Sequence, residues 1–407
     1  MASLPTPSQI AIVKTTAPVL QAHGVKITSL FYSNMLTDHP ELRNIFNEAN
    51  QKNGQQPRAL ANAVFKYASY VDNLGELTDL VRRIAYKHVS LNVQAEQYPI
   101  VGKYLLEAVA TVLGNACTPE ITEAWAAAYD ALAHIFVSSE KHLYAGYEPW
   151  AGWRRFVVQG KVEESSEITS FYLAPEDDAP LPPYMPGQYI SLRLHVPHLK
   201  VEQPRQYSLS DKPRSNYYRI SVKKDIPEQA DQPALISTLL HEKVLEADIV
   251  ELTHPSGDFH VKPGDTAPMV LISAGVGITP MISILTSALE ATPTRLTSVV
   301  HGAHSSETRA FARFLRDCRD KHHIQTTLFN SVVGANDKSG IDYDVQGRVN
   351  LNKVNRSSLF LSEESTQYFI CGPQSFMEDT QRYLLDQGVS RNRCHLEIFG
   401  VDTNGFY

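Results

Sequence analysis

Cysteine is scarce in this 407-residue chain, which has four: Cys117, Cys318, Cys371 and Cys394. They lie far apart, without the close spacing of a zinc ligand set or the density of a disulfide-rich domain. A reducing compartment is therefore favoured, and we expect a cytoplasmic protein. The N-terminus also lacks a basic segment followed by an apolar one, and it lacks an arginine-rich presequence, so no signal sequence is predicted.

Positive charge is also in short supply. The formal net charge is −7 and the pI is about 6.1, which argues against a nucleic-acid-binding surface. The pair Lys223-Lys224 is too short a basic run to change this, and we expect it to face solvent or a cofactor phosphate. Internal repeats and low-complexity tracts are absent from the sequence.

One uncharged segment, Thr266 to Leu289, is long enough to span a membrane. Gly275, Gly277 and Pro280 interrupt it, which predicts a strand, a tight turn and a helix instead. Thr279 can cap this helix and Pro280 fits its first position. The segment is therefore expected to be buried in the protein, without stable membrane insertion.

A glycine-containing helix start of this kind can bind a pyrophosphate, because backbone N–H groups point at the anion and glycines allow close approach. A lone G-x-G pattern is weak support, but strands and helices alternate after it, which predicts a parallel sheet. The predicted strands are 297–300, 325–329 and 367–370, and the predicted helices are 311–319 and 376–385. Cys371-Gly372-Pro373 follows a strand end, where such sheets bind ligands, although a plain turn is the alternative.

Upstream of this pattern lies Arg205-Gln206-Tyr207-Ser208-Leu209. Arginine can pair with a pyrophosphate, a tyrosine ring can lie on an isoalloxazine, and a serine hydroxyl can reach a ring nitrogen. This segment and Gln188 to Leu192 alternate polar and apolar residues, which predicts strands with one solvent-exposed face. The alternative is an ordinary barrel strand with a surface arginine.

Together these motifs make residues 153–407 resemble the ferredoxin reductase family. The resemblance implies FAD held by Tyr189, Arg205, Gln206, Tyr207 and Ser208. It implies NADH or NADPH held by Gly275, Val276, Gly277, Ile278, Thr279 and Pro280. Near the C-terminus, Glu397-Ile398-Phe399-Gly400 resembles a terminal strand that places an aromatic ring beside the flavin. Val401 stands where that pattern usually has proline, so Phe399 is the better flavin neighbour.

The first 147 residues show helical spacing throughout. Ser8 can cap a first helix, and a second helix carrying Phe31 and Tyr32 is predicted to end before Pro40. A further helix begins near Pro57. It places Gln56, Leu60 and Val64 on one face, which is apolar with an amide at its edge.

Two polar residues continue apolar helical stripes. His88 follows Ile84, and Glu140 follows Phe136. A lone histidine on such a face is more often a hydrogen-bonded core residue than a ligand. A buried carboxylate, however, needs a partner, unless the final helix frays and Glu140 is simply exposed. With Tyr98, these side chains can form one network that orients an imidazole bound to a metal.

At this point the whole chain resembles the flavohaemoglobins. The matching segments are Phe31-Tyr32, Pro40 to Phe46, Asn50 to Gly54, Lys87-His88, Glu96-Gln97-Tyr98 and Gly102, followed by the reductase motifs. The resemblance implies that His88 is the proximal ligand of haem b and that Tyr98 and Glu140 orient it. It also implies a distal pocket and a contact between the haem and flavin regions. Tyr32, Gln56, Leu60 and Phe46 line that pocket, and Lys87 and Glu397 make that contact.

The predicted architecture is an all-α globin at residues 1–147, an antiparallel FAD-binding β-barrel at 153–262 and an α/β nicotinamide-binding domain with a parallel sheet at 266–407. The resemblance implies a nitric oxide dioxygenase, which converts NO and O₂ to nitrate with electrons from NAD(P)H. Tyr32 would donate a hydrogen bond to O₂. We expect a monomer.

Two other functions stay open. One is a haem-based O₂ or NO sensor or carrier, and the other is a reductase with a different acceptor, such as a quinone, a ferric chelate or an organic peroxide. The preference for NADH or NADPH is also open. Arg309 follows a predicted strand and can either read a 2′-phosphate or lie on a surface helix.

Overall fold

The N-terminal part of the chain is helical. The structure is a computed structural model that describes residues 4–46, 54–225 and 236–400. The helices of this part are α1 (Pro7–Asp38), α2 (Gln55–Ser69), α3 (Thr78–Ser90), α4 (Tyr98–Leu113) and α5 (Pro119–Gly146). Their apolar faces surround one core, in which Val13, Phe31, Met35 and Ala108 are almost completely buried.

Helix α1 corrects two predictions, because it is one continuous helix and its cap is Thr6 rather than Ser8. The Gln9 N–H donates to Thr6 Oγ1 at 3.3 Å, and the Thr6 N–H donates to Gln9 Oε1 at 2.8 Å, which is a reciprocal capping box. Gly24 does not divide the helix. A Cβ there would lie 3.0 Å from Ala61 Cβ, so this glycine lets α1 and α2 approach closely.

An antiparallel sheet follows the helices, as predicted. Its strands are β1 (Arg154–Glu163), β2 (Ile168–Pro175), β3 (Tyr189–Val196), β4 (Val201–Ser208), β5 (Tyr218–Lys223) and β6 (Ile249–Leu252), in the order β4-β3-β6-β1-β2-β5. A short helix, α6, spans Ile236–Glu242. Strand β4 is at an edge of the sheet, where a proline such as Pro204 is tolerated.

The predicted alternation of exposed and buried residues is wrong for β3 and β4. Residues 190–192 are all buried, and residues 205–207 are all half-buried. An edge strand such as β4 is accessible from both faces, so consecutive side chains can be partly exposed.

The C-terminal part contains the predicted parallel sheet with alternating helices. Its strands are β7 (Met269–Ala274), β8 (Thr297–Ala303), β9 (Gln325–Asn330), β10 (Val345–Gln346), β11 (Gln367–Cys371) and β12 (Cys394–Glu397), in the order β10-β9-β8-β7-β11-β12. The helices are α7 (Ile278–Ala291), α8 (Ala312–His322) and α9 (Gln374–Asp386). The apolar strand β7 lies inside the sheet, between β8 and β11.

The uncharged segment Thr266 to Leu289 forms β7 and most of α7, as its glycines and proline predict. Within the described residues, no helix is long and apolar enough to cross a membrane. The four cysteines are free.

By contact density the chain divides into two compact units. The first takes in residues up to Trp153 together with Ser191–Arg205 and Gly400, and the second takes in Arg154–Ile190 and Gln206–Phe399. The gap between the first two predicted domain ranges, 147–153, follows the end of α5, and the gap between the last two, 262–266, falls between β6 and β7. The boundaries of the three domains stay a prediction.

Candidate active site

His88 lies near the end of α3, where its imidazole meets two polar side chains from other helices. Its Nδ1 is 2.7 Å from Glu140 Oε1 and 3.0 Å from the Tyr98 hydroxyl. The Tyr98 hydroxyl donates its hydrogen to Glu140 Oε1 at 2.5 Å. Because the phenol hydrogen is used there, the His88 Nδ1–H donates to the carboxylate. The lone pair of the imidazole is then on Nε2, available to a metal.

Glu140 is 3% exposed, so the alternative of a wet residue on a frayed helix end is wrong. Helix α5 continues past it to Gly146 and carries Phe136 one turn earlier, whose ring centroid is 5.5 Å from that of His88. A carboxylate in such a place needs hydrogen-bond donors, and Tyr98 and His88 provide them. Burial and, secondly, the hydrogen bond to Glu140 raise the pKa of Tyr98, which keeps the phenol protonated as a donor.

Tyr129, which the sequence analysis did not single out, fixes the position of Tyr98 through a hydrogen bond to its backbone. The Tyr129 hydroxyl donates to the Tyr98 backbone carbonyl at 2.6 Å. A Cβ at Gly102 would lie 2.4 Å from Tyr129 Cε1, so glycine makes room for this ring. The only sign of this arrangement in the sequence was Gly102, a glycine one turn after Tyr98, which leaves space for a large neighbouring side chain.

On α1, Tyr32 forms a second group with residues predicted to line the distal pocket. Tyr32 is 7% exposed, and its ring stands at 76° to that of Phe46 with 5.5 Å between centroids. Burial raises the pKa of Tyr32, and hydrogen bonding with the Gln56 side chain opposes part of that effect. Leu60, one turn after Gln56 on α2, packs against the same core. The matching segment Asn50 to Asn53 lies outside the described residues.

These residues fit a haem iron ligand and its surroundings. The side chain of His88 keeps 32% exposure, while that of its partner Glu140 keeps 3%. The imidazole therefore has one nitrogen bonded inside the helical core and an accessible edge. A neutral imidazole whose second nitrogen donates to a carboxylate is the arrangement expected for an axial ligand of increased basicity.

The predicted flavin residues lie on β3 and β4. Ser208 is buried, and its Oγ has no hydrogen-bond partner, which fits a hydroxyl that bonds to a bound molecule. Arg205, Gln206 and Tyr207 form the half-buried run just before it. On β3, the Tyr189 ring lies over Gly257, where a Cβ would be 2.8 Å from Tyr189 Cε1. These features fit the predicted FAD site.

The predicted nucleotide-binding turn meets the strand end that carries Cys371. Strands β7 and β11 pair in parallel, with Ser273 opposite Cys371. A Cβ at Gly277 would lie 2.2 Å from the Cys371 carbonyl oxygen, so only glycine fits there. The N–H groups of this turn and of the first residues of α7 form a suitable anion site.

The predicted roles of Thr279 and Pro280 in starting α7 are wrong. The helix begins at Ile278, with Gly277 in the capping position, and the Thr279 hydroxyl donates back to the Val276 carbonyl at 3.0 Å. The 3₁₀ turn Gly275–Gly277 leads directly into α7, which moves the helix start ahead of Thr279.

The predicted terminal strand ends earlier than expected, at Glu397. Glu397 lies opposite Cys371 in the register of β11 and β12, so it is at the same edge of the sheet as the nucleotide-binding turn. Ile398 is half-buried and Phe399 is 43% exposed. The Lys87 ammonium donates to the Gly400 carbonyl at 3.3 Å. Val401 lies outside the described residues.

Arg309 is not on a surface helix, because it is 3% exposed and precedes α8. Its guanidinium donates to the Asp342 carbonyl, to Asn330 Oδ1 and, at 3.3 Å, to the Phe329 carbonyl. Burial lowers its pKa to about 10. These bonds anchor β9, which argues against a role in reading a 2′-phosphate.

His301 on β8 did not emerge from the sequence. It is 1% exposed, and its Nδ1 is 2.9 Å from the Ser273 hydroxyl on β7, just before the nucleotide-binding turn. Burial, and secondly the positive charge of Arg309, lower the pKa of His301 to about 3. The available signal was a histidine directly after the apolar run Val299-Val300.

Comparisons with known proteins identify the families that this chain resembles. Residues 29–136 match the globin family, and residues 271–382 match the oxidoreductase NAD-binding domain family. The flavohemoprotein of Bordetella pertussis is 44% identical over 97% of this chain and 98% of its own length. The flavohemoprotein of Rhizobium meliloti is 45% identical over 96% and 97%.

Two solved structures are similar as well. The flavohemoglobin of Malassezia yamatoensis, crystallised with bound FAD and haem, superposes with a TM-score of 0.82 at 26% identity, covering 98% of this chain and 100% of that one. The FAD/NAD-binding domain of the nitric oxide dioxygenase from Vibrio cholerae has a TM-score of 0.54 at 34% identity, covering 61% and 98%. With a relative 44% identical along almost its whole length, the chain belongs to the flavohemoprotein family.

Proposed function

We propose that the chain is a nitric oxide dioxygenase. One NAD(P)H supplies two electrons, with which two NO and two O₂ become two nitrate ions. Its cofactors are NADH or NADPH, FAD and haem b, which when bound supply hydride transfer, single-electron transfer and the iron chemistry of O₂. NO and O₂ are its small-molecule substrates. Monomeric state, cytoplasmic location and the lack of a nucleic-acid partner stay predictions from the sequence.

The observation that carries the proposal is the buried network of His88, Glu140 and Tyr98. Glu140, with 3% exposure, accepts from both His88 Nδ1 and the Tyr98 hydroxyl. A protein that only carries O₂ needs an imidazole that holds iron, and a backbone carbonyl would orient it. A carboxylate behind the imidazole makes the ligand more electron-donating, which favours oxidation chemistry over reversible binding.

The distal residues support the same function. The raised pKa of Tyr32 keeps its phenol protonated, and Tyr32 itself is buried with its ring edge-on to that of Phe46. Tyr32 donates a hydrogen bond to a gaseous substrate in that pocket. A hydrogen bond to a partly charged acceptor contributes about 1.5–3 kcal/mol, or roughly tenfold to a hundredfold in affinity.

In the reductase part, Ser208, Tyr207, Arg205, Gln206 and Tyr189 bind FAD. The turn and helix start from Gly275 to Pro280 bind the nicotinamide dinucleotide. The Phe399 ring lies beside the flavin, together with its sequence neighbours Ile398 and Gly400. Lys87 and Glu397 take part in electron transfer between the cofactors. The orphaned hydroxyl of Ser208 and the close contact at Gly277 support these assignments.

The test is NAD(P)H oxidation by the purified holoprotein in aerobic buffer, with and without NO, together with nitrate analysis. We expect NO to accelerate NAD(P)H oxidation strongly and nitrate to form at two per NAD(P)H. Consumption that stays at its aerobic baseline would indicate the sensor or carrier. Faster turnover with a quinone, a ferric chelate or an organic peroxide than with NO would indicate a reductase with another acceptor.

A further inference from the structure

Gln203 on β4 is a polar side chain that the functions described so far do not use. It is 2% exposed, although it lies on an edge strand. Its Nε2 donates to the carbonyl oxygens of Arg43 at 3.0 Å, of Phe46 at 3.2 Å and of Glu202 at 3.1 Å. The first two acceptors belong to the segment that follows α1 and ends at the distal residue Phe46.

The neighbouring residue on β4 makes a second connection to this segment. The Glu202 backbone N–H donates to Asn44 Oδ1 at 2.8 Å. The orientation of that amide is fixed, because Asn44 Nδ2 donates to the Glu41 carbonyl at 2.9 Å. Two consecutive residues of β4 therefore hold residues 43–46 by their backbone and by one side chain.

Both ends of this connection lead to a proposed cofactor site. At one end, Phe46 stands edge-on to Tyr32, the proposed hydrogen-bond donor of the distal pocket. At the other end, Gln203 precedes Arg205, the proposed ligand of the FAD pyrophosphate, by two residues along β4. A displacement of β4 thus moves the Phe46 backbone directly, because the bonds attach to its carbonyl oxygen.

We propose that Gln203 is a positioning residue. From its place on the flavin-binding strand β4 it fixes the position of Phe46, and it thereby governs the rate at which the flavin reduces the haem. The proposal rests on the haem and flavin sites of the proposed function, but not on its NO chemistry. Gln203 acts through the backbone of Phe46, and it needs no contact with either cofactor. The alternative is that the amide only stabilises the fold.

The test uses the full-length holoprotein and the variant Gln203→Met, which keeps the chain length and removes both N–H donors. Under anaerobic CO, NADH is mixed with the protein, and flavin bleaching and formation of the ferrous carbonyl are followed separately. We expect flavin reduction at the wild-type rate and haem reduction slowed by about tenfold or more. The C–O stretching frequency of the carbonyl should also shift, because Phe46 and Tyr32 move.

Two variants serve as comparisons. Glu202→Gln removes the exposed pair with His195 at 3.0 Å and keeps the backbone bond to Asn44, so it should match wild type in every measurement. Asn44→Leu removes the second connection, so it should shift the C–O frequency and slow haem reduction in the same direction as Gln203→Met. It also tests the proposal if Gln203→Met does not fold.

A lowered thermal stability with wild-type haem reduction and an unshifted C–O frequency would overturn the proposal and leave Gln203 as a structural residue. A shifted frequency with wild-type haem reduction would also overturn it, because Phe46 would then move without consequence for electron transfer. Failure of the proposed function would look different. It would appear as a wild-type protein without haem and flavin spectra, or as a holoprotein that reduces its haem without responding to NO.

Discussion

His88 Nδ1 and Glu140 Oε1 meet at 2.7 Å although the two residues are 52 positions apart in the sequence. The contact joins the end of α3 to the last third of α5, so it depends on how these helices pack. The effective dielectric constant inside the protein is low. A carboxylate that is hydrogen-bonded to Nδ1 of an imidazole therefore strongly affects a metal that binds to Nε2.

The first prediction removes the charge of that carboxylate. Glu140→Gln keeps the volume and a hydrogen-bond acceptor, so we expect haem and O₂ still to bind. The reduction potential of the haem should rise. NO-dependent turnover should fall by roughly tenfold or more, which is typical when a hydrogen-bond partner of a metal ligand is lost. The measurements are a redox titration of the haem and NO-dependent NAD(P)H oxidation.

Tyr98→Phe is the matched control, because it removes a donor to Glu140 and keeps the carboxylate. Its shift in potential should be smaller than that of Glu140→Gln. An unshifted potential and full activity in Glu140→Gln would show that the carboxylate is no more than a structural partner of Tyr98.

The second prediction concerns the ligand itself. His88→Ala should lose most of its haem, because it removes the imidazole that Glu140 and Tyr98 orient. FAD content and the reduction of ferricyanide by NAD(P)H should stay unchanged, since separate cores support the two functions. Haem content is measured from the absorption spectrum of the pyridine complex. A variant with wild-type haem content and spectrum would refute the assignment.

The third prediction tests the flavin strand. Arg205→Ala removes the cation of the Arg205 to Ser208 motif, and the loss of charge-assisted bonds to the pyrophosphate should weaken FAD binding by about tenfold or more. Arg193→Ala on β3 is the control, because that guanidinium lies over the Trp153 ring at 4.5 Å. FAD affinity is measured by fluorescence titration of the flavin-free protein. Equal affinity in Arg205→Ala and wild type would place the pyrophosphate elsewhere.

The fourth prediction tests the nucleotide-binding turn. Gly277→Ala would bring a Cβ to 2.2 Å from the Cys371 carbonyl oxygen, so the turn or β11 must move. NAD(P)H should bind more weakly and reduce FAD more slowly, whereas haem and FAD contents should match wild type. In Gly160→Ala, the control on β1, the nearest atom to the new Cβ is 4.0 Å away. If Gly277→Ala reduced its flavin at the wild-type rate, the dinucleotide would not bind at this turn.

The helices and strands could be predicted where local rules decide the structure. Spacings of four residues placed His88 and Glu140 on apolar stripes, and the buried position of Glu140 confirms that interpretation. The glycines before α7 predicted a strand, a turn and a helix in the right order, because only a few backbone conformations suit such a sequence.

What could not be predicted depends on partners distant in sequence. The sequence predicted two helices before Pro40, but α1 is continuous, and its Gly24 packs closely against Ala61 of another helix. Gln203 was not among the residues that the sequence singled out, yet it is 2% exposed and its amide donates to the carbonyls of Arg43 and Phe46. Its acceptors are backbone carbonyls, which carry no sequence signal.

The last prediction follows from His301, which is 1% exposed and whose pKa burial lowers from 6.5 to about 3. Above pH 6.5 this histidine is neutral in both the folded and the unfolded chain, so it does not affect stability there. Between pH 6.5 and about 3 only the unfolded chain takes up the proton, so stability falls as the pH falls. From pH 7 to pH 5 the loss from this one group should be about 2 kcal/mol.

His301→Asn keeps a hydrogen-bond partner for Ser273 and does not titrate, so it should lack this part of the acid sensitivity. The free energy of opening of β7 and β8 is measured by native-state hydrogen exchange at pH 7 and pH 5 in both proteins. His241, His254 and His395, whose pKa values burial also lowers, contribute equally to both and cancel in the comparison. If the two proteins lost the same free energy between these pH values, His301 would have to accept a proton in the folded state. Water or an acceptor would then have to reach the strand just before the nucleotide-binding turn.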